Sequence, residues 1–302
     1  MRVDKGHRKN HYVPIGYLKH FTNSNGKFYV FDKKAKYKSS EIQEKAPSQI
    51  CYENDRYILK FQTGEEFTIL ETKTYGFFDS RHAKAFQLLN DWDYKSDIWS
   101  MEVVGSLEEF VPIQYWRSPA SDDEFTKKLK NAQRLEEFGL YLSKGKDSPP
   151  STDLELHKMI LKEQNVPQVI RPILAMSTFG KSHAINDRLE WRVIEHNTGK
   201  PNLTSDNPIL FKKHPKMPED FRSSVVIPIG NTKTLVRINE ELGNLYHHQV
   251  WQDMIQIYQA DRYVISSDKE YLKDCVREYR SLNLYSKIDE FKRKVFDIYS
   301  NN

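Results

Sequence analysis

The sequence predicts an α+β protein, with a helical middle and a mostly antiparallel sheet formed largely by the C-terminal half. Apolar residues recur at three- and four-residue intervals through most of residues 67–179, which is typical of amphipathic helices. After residue 186 the pattern changes to short β-prone runs separated by turns. We expect the 302 residues to form a single domain, with a candidate internal boundary at the Ser- and Pro-containing loop 143–151.

One strand is predicted near the N-terminus. Residues 28–31 (Phe-Tyr-Val-Phe) are β-prone and follow the turn at residues 23–26. The partner is left open between Ile42 and residues 56–59. This strand is expected to join the sheet of the C-terminal half.

Five helices are predicted in the middle of the chain, at residues 67–89, 98–116, 122–142, 154–164 and 167–179. Gly76 interrupts the first pattern, so we expect a kink or two short helices there. Pro112 removes a backbone donor from the second helix and is expected to bend it.

The C-terminal third is predicted to alternate strands and helices. Residues 189–196 and 202–205 are expected to form a hairpin around the turn 197–199. The other predicted elements are strands at 223–229, 234–238 and 262–266, and helices at 239–259, 269–279 and 288–299.

The N-terminal segment is the most basic part of the chain. Residues 1–38 hold ten Lys and Arg against two Asp, whereas the whole chain has a net charge of only +4. Tyr and Phe residues are interspersed among these cations, a combination that suits phosphate contact and base stacking. Because Tyr12, Val13, Tyr17 and Leu18 are fit to be buried, we expect the segment to pack into the body, with His11 inward and the lysines outward.

Several protein classes are excluded by the sequence. No apolar run approaches the roughly 20 residues that span a bilayer, and the N-terminus has no apolar signal segment. Cys51 and Cys275 form neither a disulfide framework nor a zinc-binding spacing, so we expect a reduced, cytoplasmic protein. The glycine-rich phosphate-binding loops and the common hydrolase motifs are absent.

His11 is the first candidate site residue. Near neutral pH a histidine can be a base, an acid, a metal ligand or a phosphate contact. Lys9 and Tyr12 flank it and are candidate substrate contacts. The alternative is that His11 and Tyr12 only anchor the terminus to the core.

Residues 204–208 (Thr-Ser-Asp-Asn-Pro) form the second candidate. The Asp206 carboxylate can hold a divalent metal or act as a base, and Asn207 can contact substrate. The alternative is a turn in which both side chains bond to their own backbone.

Gln114 and Arg117 form the third candidate, because residues three apart share one face of a helix. The Arg117 guanidinium suits a phosphate or a carboxylate. The alternative is an ion pair with Glu71, Glu108 or Asp206.

Three further acids and one histidine pair are candidate site residues. Glu71 is the preferred catalytic acid, with Glu53 and Glu190 as alternatives. Glu190 lacks the Glu-x-Lys pattern of a nuclease core. The His247-His248 pair points to two faces of a predicted helix and favours surface or capping roles.

The motifs at residues 10–14 and 204–208, together with those at 52–57, 114–119 and 227–229, resemble a bacterial family called domain of unknown function four-two-three-eight. The similar segments run from residue 10 to about 270. Position 15 is Ile and position 16 is Gly, where the resemblance leads us to expect a larger polar-aromatic pair. The family implies no reaction.

Three functions are expected from these residues. The first is a nucleic-acid-directed phosphodiester hydrolase, in which His11 is base or ligand, Arg117 holds phosphate and Asp206 holds a divalent metal. The second is a non-catalytic module that binds nucleic acid or a protein. The third is a toxin-like or phage-defence effector that acts on another anionic substrate.

Overall fold

The chain has an α+β fold in a computed structural model that describes residues 8–37, 40–61, 63–138, 153–163, 165–176, 191–215, 221, 223–238, 249–282 and 287–298. The candidate boundary at 143–151, Glu190 and the His247-His248 pair lie outside the described residues.

Twelve strands are present in the described part of the chain. They are β1 (Lys9–His11), β2 (Phe28–Asp32), β3 (Ile42–Lys45), β4 (Tyr52–Asn54), β5 (Leu59–Lys60), β6 (Glu66–Phe67), β7 (Trp191–Glu195), β8 (Thr204–Ser205), β9 (Leu210–Phe211), β10 (Val225–Pro228), β11 (Lys233–Arg237) and β12 (Tyr263–Ser266).

The α-helices within the same ranges are α1 (Ile15–Leu18), α2 (Gly76–Asp91), α3 (Met101–Arg117), α4 (Asp122–Asn131), α5 (Asp153–Leu161), α6 (Val166–Met176), α7 (Gln249–Gln259), α8 (Lys269–Ser281) and α9 (Ile288–Ile298). None of these described helices is long and apolar enough to cross a membrane.

All strand pairings among the described residues are antiparallel. One four-stranded sheet has the order β7-β11-β10-β9, and the other has the order β3-β2-β12-β8. Two small ribbons, β1-β4 and β5-β6, complete the pairing. The N-terminal strand β2 therefore joins a C-terminal strand, as predicted, and its second partner is the Ile42 strand.

The hairpin predicted for residues 189–205 is wrong. Strand β7 pairs with β11, and β8 pairs with β12. The Asn202 backbone N–H donates to the Asn231 carbonyl, and its side-chain amide donates to the carbonyls of Gly230 and Lys233. These bonds attach the segment after the turn 197–199 to the turn between β10 and β11. The segment therefore cannot fold back and pair with β7. The strands predicted at 223–229 and 234–238 are present as β10 and β11, and they pair with each other.

The predicted helix 122–142 is too long, because α4 ends at Asn131 and a short 3₁₀ helix follows at Leu135–Phe138. The backbone N–H groups of Gln133 and Arg134 both donate to the Glu137 carboxylate. The Leu135 N–H donates to Nδ1 of His157. Side chains thus take the donors that a continuing helix would need.

The break expected at Gly76 is observed. Residues Leu70–Tyr75 form a π-helix, which becomes the α-helix α2 at Gly76. In contrast, α3 is one continuous helix through Pro112, the residue at which a bend is predicted. Every side chain from Phe110 to Arg117 is buried, so this half of α3 lies at the centre of the larger hydrophobic core.

The N-terminal segment is packed into the body, as predicted. The Tyr17 hydroxyl, fully buried, donates to the Pro228 carbonyl and accepts from the Thr204 hydroxyl, both at 2.7 Å. Strand β1 pairs with β4, and Tyr12 and Val13 are buried beside it. The segment is therefore a structural part of the core, while Lys9 and Lys19 remain exposed.

Candidate functional site

Three of the segments singled out in the sequence meet at the C-terminal half of α3. The Gln114 side-chain amide donates to the Tyr12 carbonyl at 3.0 Å. On the other side of the helix end, the Ser118 hydroxyl donates to the Asp206 carbonyl at 3.2 Å. The segments around residues 12, 114–118 and 206 thus form one continuous region.

Arg117 is held by an acid that the sequence reasoning did not propose. Its guanidinium donates to both oxygens of Asp79, at 2.5 and 3.1 Å, and lies 4.5 Å from the centre of the Tyr75 ring. Of the partners predicted from sequence, Glu108 and Asp206 bind other groups, whereas the charge of Glu71 acts on Arg117. Glu108 instead accepts from Arg237 and Trp191.

His11 lies at the inner edge of this region and is half-buried. Its ring hydrogen-bonds the backbone of Ser48, and its Nε2 is enclosed without a partner. Burial lowers the pKa of His11, and the Arg117 cation lowers it further, although Asp79 acts in the opposite direction. His11 is therefore neutral near pH 7, and a substrate reaches its Nε2 only if the neighbouring groups move.

The other residues predicted around His11 have separate surroundings. Glu71 is half-buried on the π-helical turn, and its charge raises the pKa of Arg117. Glu53 is exposed and accepts from Arg56 at 2.5 Å. The Lys9 ammonium lies 4.8 Å from the centre of the Tyr52 ring.

Asp206 holds the chain together through backbone bonds. Its buried carboxylate accepts from the N–H groups of Asp261, Arg262 and Tyr263, at 2.8 to 3.0 Å. Burial raises the pKa of Asp206 to about 6, although the backbone N–H groups act to lower it. Both oxygens are committed to the loop before β12, which argues against the predicted metal ligation. Within the described residues, no three His, Cys, Asp or Glu side chains are grouped to hold a metal ion.

Most cations of the basic N-terminal segment that the structure describes also have internal roles. The Lys33 ammonium donates to the carbonyls of Ile257, Tyr258 and Ala260. Three others form ion pairs: Arg8 with Asp55 and Glu66, Lys27 with Glu44, and Lys34 with Asp261. Lys33 is therefore tied to the body of the protein, whereas Arg8, Lys27 and Lys34 remain about half exposed although they are paired.

An open cavity lies on the other side of the α3 terminus. Its volume is about 150 Å³, and its polar lining comprises Tyr115, Ser121, Asn207, His214, Gln259 and Lys292. A ligand pocket usually exceeds about 300 Å³, and a water molecule fills about 30 Å³ in the liquid. The cavity thus has room for a few waters or for one small charged group of a larger molecule.

Tyr115, His214 and Glu124 form a hydrogen-bonded cluster at this cavity. The Tyr115 hydroxyl donates to Glu124 Oε2 at 2.5 Å, and His214 Nε2 lies 2.8 Å from the same oxygen. The Tyr115 and His214 polar atoms are 3.1 Å apart. An ionised carboxylate only accepts hydrogen bonds, so Nε2 donates to Glu124 and Nδ1 of the neutral ring carries the lone pair. A carboxylate that orients an imidazole in this way prepares it to act as a base.

The electrostatics of the cavity favour an ionised Glu124 and a neutral Tyr115. Burial acts to raise the pKa of Glu124, but the bonds from His214 and Tyr115 outweigh it and lower the pKa. Burial raises the pKa of Tyr115, which keeps the phenol neutral. Burial lowers the pKa of Lys292, so its ammonium gives up a proton more readily than that of an exposed lysine.

Comparison with known proteins places the chain in a family. A sequence profile described as "Protein of unknown function (DUF4238)" matches residues 9–270. The chain belongs to this family. Searches of curated proteins and of solved structures found no significant match. The family match covers α3, the Asp206 segment and His214, but it ends before Lys292.

Asn207, a predicted substrate contact, lines this cavity, and its amide also donates to the Gln259 carbonyl at 3.2 Å. The sequence reasoning missed Tyr115, Glu124, His214 and Lys292. Tyr115 adjoins the predicted Gln114, and Glu124 lies in the first turn of α4, where the helix dipole favours a carboxylate. His214 follows two exposed lysines and precedes a proline, a pattern that gives only a weak signal.

Proposed function

We propose that the chain is a nucleic-acid-directed phosphodiester hydrolase whose reaction takes place in the cavity at Tyr115, Glu124 and His214. The observation that carries the proposal is the hydrogen bond from His214 Nε2 to Glu124, which leaves Nδ1 of a 61% exposed imidazole as a base beside a cavity of phosphate size.

The substrate class follows from the size and charge of the cavity. About 150 Å³ holds one phosphate group rather than a whole cofactor, so the rest of the substrate lies outside. Lys292 supplies a cation in the lining, and Lys212 and Lys213 are exposed just before His214. An anionic polymer is the substrate that extends beyond such a cavity and meets further cations there.

The proposed step needs no group beyond these residues and water. His214 Nδ1 takes a proton from water as the water oxygen attacks phosphorus. The bond from phosphorus to the leaving oxygen breaks, and that oxygen takes a proton from the Lys292 ammonium. The Tyr115 hydroxyl and the Glu124 carboxylate hold the imidazole and stabilise its positive charge after proton transfer.

The His11 site remains a separate prediction. Because the Asp206 oxygens accept three backbone N–H groups, no step here is routed through a metal at that residue. His11→Ala and His214→Ala therefore distinguish the predicted site from the proposed one.

The test is cleavage of end-labelled single-stranded RNA, single-stranded DNA and duplex DNA by the purified full chain, with EDTA, Mg²⁺ or Mn²⁺. We expect His214→Ala to lower the rate at least about 100-fold, the usual contribution of a positioned base. Glu124→Gln should lower it less, because the ring keeps one partner. His20→Ala and Asp123→Asn are matched controls with wild-type rates.

Circular dichroism and thermal unfolding establish that each variant is folded. If no substrate is cleaved under any metal condition, or if folded His214→Ala cleaves at the wild-type rate, the proposal is wrong. Loss of cleavage in His11→Ala alone would instead support the site predicted from sequence.

We further propose a cytoplasmic role in defence or as a toxin. Expression of the wild-type chain should then slow bacterial growth, and His214→Ala should relieve the effect. Equal growth of cells that express the two proteins at the same level would count against this role.

A further inference from the structure

A second and larger cavity lies between α8 and the start of β3. Its volume is about 470 Å³. Four cations of α8 line it, with one acidic and one apolar residue on the β3 side: Lys269, Lys273, Arg277, Arg280, Glu41 and Ile42. We call this cavity the α8 groove.

The four cations form a row along one face of α8. Their spacing of four, four and three residues keeps them on one side of a helix with 3.6 residues per turn. At 1.5 Å per residue, successive charges are about 5 to 6 Å apart, and the row extends about 16 Å. The acids of the same helix, Glu270, Asp274 and Glu278, lie about 100° round the helix and do not line the groove.

The contacts of these cations leave the row open to a ligand. Lys273 pairs with Glu270 and Arg277 pairs with Asp274, each at 2.8 Å, but the two cations are 46% and 78% exposed. Exposed pairs of this kind are weak and exchange readily. Arg280 is more fixed, because it pairs with Glu41 at 2.9 Å and lies over the Phe31 ring.

We propose that the α8 groove binds the sugar-phosphate backbone of single-stranded nucleic acid. A row of cations in a concave channel is the arrangement that follows one flexible polyanionic strand. The concave shape and the Glu41 wall disfavour a flat anionic bilayer. The Ile42 side chain and the half-buried Tyr29 ring, 5.9 Å from the Lys269 ammonium, offer contact surface for sugars or bases.

This inference takes its substrate class from the proposed function, but it does not depend on catalysis at His214. The proposed cleavage at His214 and the proposed binding in the α8 groove can fail independently of each other. His214→Ala should abolish cleavage and keep binding, whereas loss of the α8 groove should weaken binding in a chain whose cleavage residues are intact.

The test is fluorescence anisotropy with labelled single-stranded RNA and DNA of about 20 nucleotides, in EDTA, over a range of salt concentrations. The test variant combines Lys269→Gln, Lys273→Gln and Arg277→Gln. The control combines Lys19→Gln, Lys36→Gln and Lys162→Gln, which removes the same charge from other exposed positions.

We expect the test variant to raise the Kd at least about 10-fold at 0.1 M salt, and the control to change it less than about twofold. The slope of log K against log salt should fall by about 2, because each lost single-strand phosphate contact removes about 0.7. Each binding assay is repeated on the His214→Ala background, where no cleavage disturbs the signal.

Three results would overturn the inference. The first is that the wild-type chain fails to bind single strands at low salt. The second is that the test variant binds single strands as tightly as the control variant. The third is that the test variant still binds single strands and loses only its binding to vesicles of phosphatidylcholine and phosphatidylserine. Circular dichroism and thermal unfolding of the test variant exclude misfolding as the cause of lost binding.

Discussion

Arg117 and Asp79 form an ion pair in which the cation is buried and the anion reaches solvent. The Arg117 side chain is 1% exposed and the Asp79 side chain 30%, and two hydrogen bonds join them. The Tyr75 ring covers the guanidinium from the π-helical turn. Asp79 therefore keeps a buried charge neutralised at the centre of the region where the N-terminal segment meets α3.

Asp79→Asn should destabilise the fold by about 3 kcal/mol, because it removes the carboxylate that pairs directly with the buried Arg117 cation. The measurement is the free energy of unfolding from urea denaturation at pH 7. The control Glu270→Gln breaks an exposed pair and should change the free energy by less than about 0.5 kcal/mol. An Asp79→Asn effect as small as that of the control would contradict the structural role given to this pair.

Gly16→Ala should destabilise the fold by about 1 to 2 kcal/mol, through a clash between α1 and α2. A Cβ at position 16 would lie 2.8 Å from the Cβ of Ala83, closer than atoms in a packed core approach. This contact explains why a residue without a side chain occupies position 16. Combining Gly16→Ala with Ala83→Gly should remove the clash.

A double-mutant cycle measures this contact directly. The double variant should be more stable than the sum of the two single changes predicts, by about 1 kcal/mol, although Ala83→Gly alone weakens α2. The free energies come from urea denaturation of the four proteins. Additive effects would show that the two residues do not touch.

Local signals in the sequence predicted most elements of the fold but not how they pair. Periodicity and turn residues located the long helices and the strands β10 and β11, because these depend on neighbours in sequence. The end of α4 depends on Glu137 and His157, and the path of the chain after β7 depends on Asn202. Such side-chain bonds to the backbone arise only when distant segments have been brought together.

The candidate site shows the same difference between features set by neighbours in sequence and features set by distant segments. The segments around His11, Arg117 and Asp206 were distinctive in sequence, and the fold brings them to one helix end. Glu124 and His214 are 90 residues apart and carry no shared motif, so sequence alone does not pair them. The three backbone N–H groups of the loop before β12 that donate to the Asp206 carboxylate are invisible in a linear pattern.

Asp253→Asn should reduce the loss of stability at rising pH. Burial raises the pKa of Asp253 to about 8 from an ordinary value of 3.8, although bonds from Tyr271 and the Leu203 N–H act to lower it. A raised pKa in the folded state stabilises the protein below pH 3.8, and this stabilisation is lost as pH rises towards 8.

The measurement for Asp253 is the difference in free energy of unfolding between wild type and Asp253→Asn at pH 5 and pH 7.5. The wild type should lose on the order of 3 kcal/mol relative to the variant over this interval. Asp268→Asn, at the half-buried N-cap of α8, is the control and should not change the slope over this range. Parallel curves for wild type and Asp253→Asn would show that Asp253 titrates normally.

His82→Phe should protect the fold against acid, with a pH dependence of opposite sign. Burial lowers the pKa of His82 to about 3, and the Arg117 and Arg81 cations add to the effect. Both ring nitrogens are buried without a hydrogen-bond partner, and the ring contacts Phe78 and Phe110. A lowered pKa stabilises the fold above pH 6.5, and this stabilisation is lost as pH falls towards 3.

Between pH 7 and pH 4.5 the wild type should therefore lose about 2 to 3 kcal/mol more than His82→Phe in urea denaturation. Phe110→Leu, which alters the same packing without a titratable group, should lower stability equally at both pH values. If His82→Phe keeps the wild-type acid sensitivity, the proton uptake on unfolding belongs to another group.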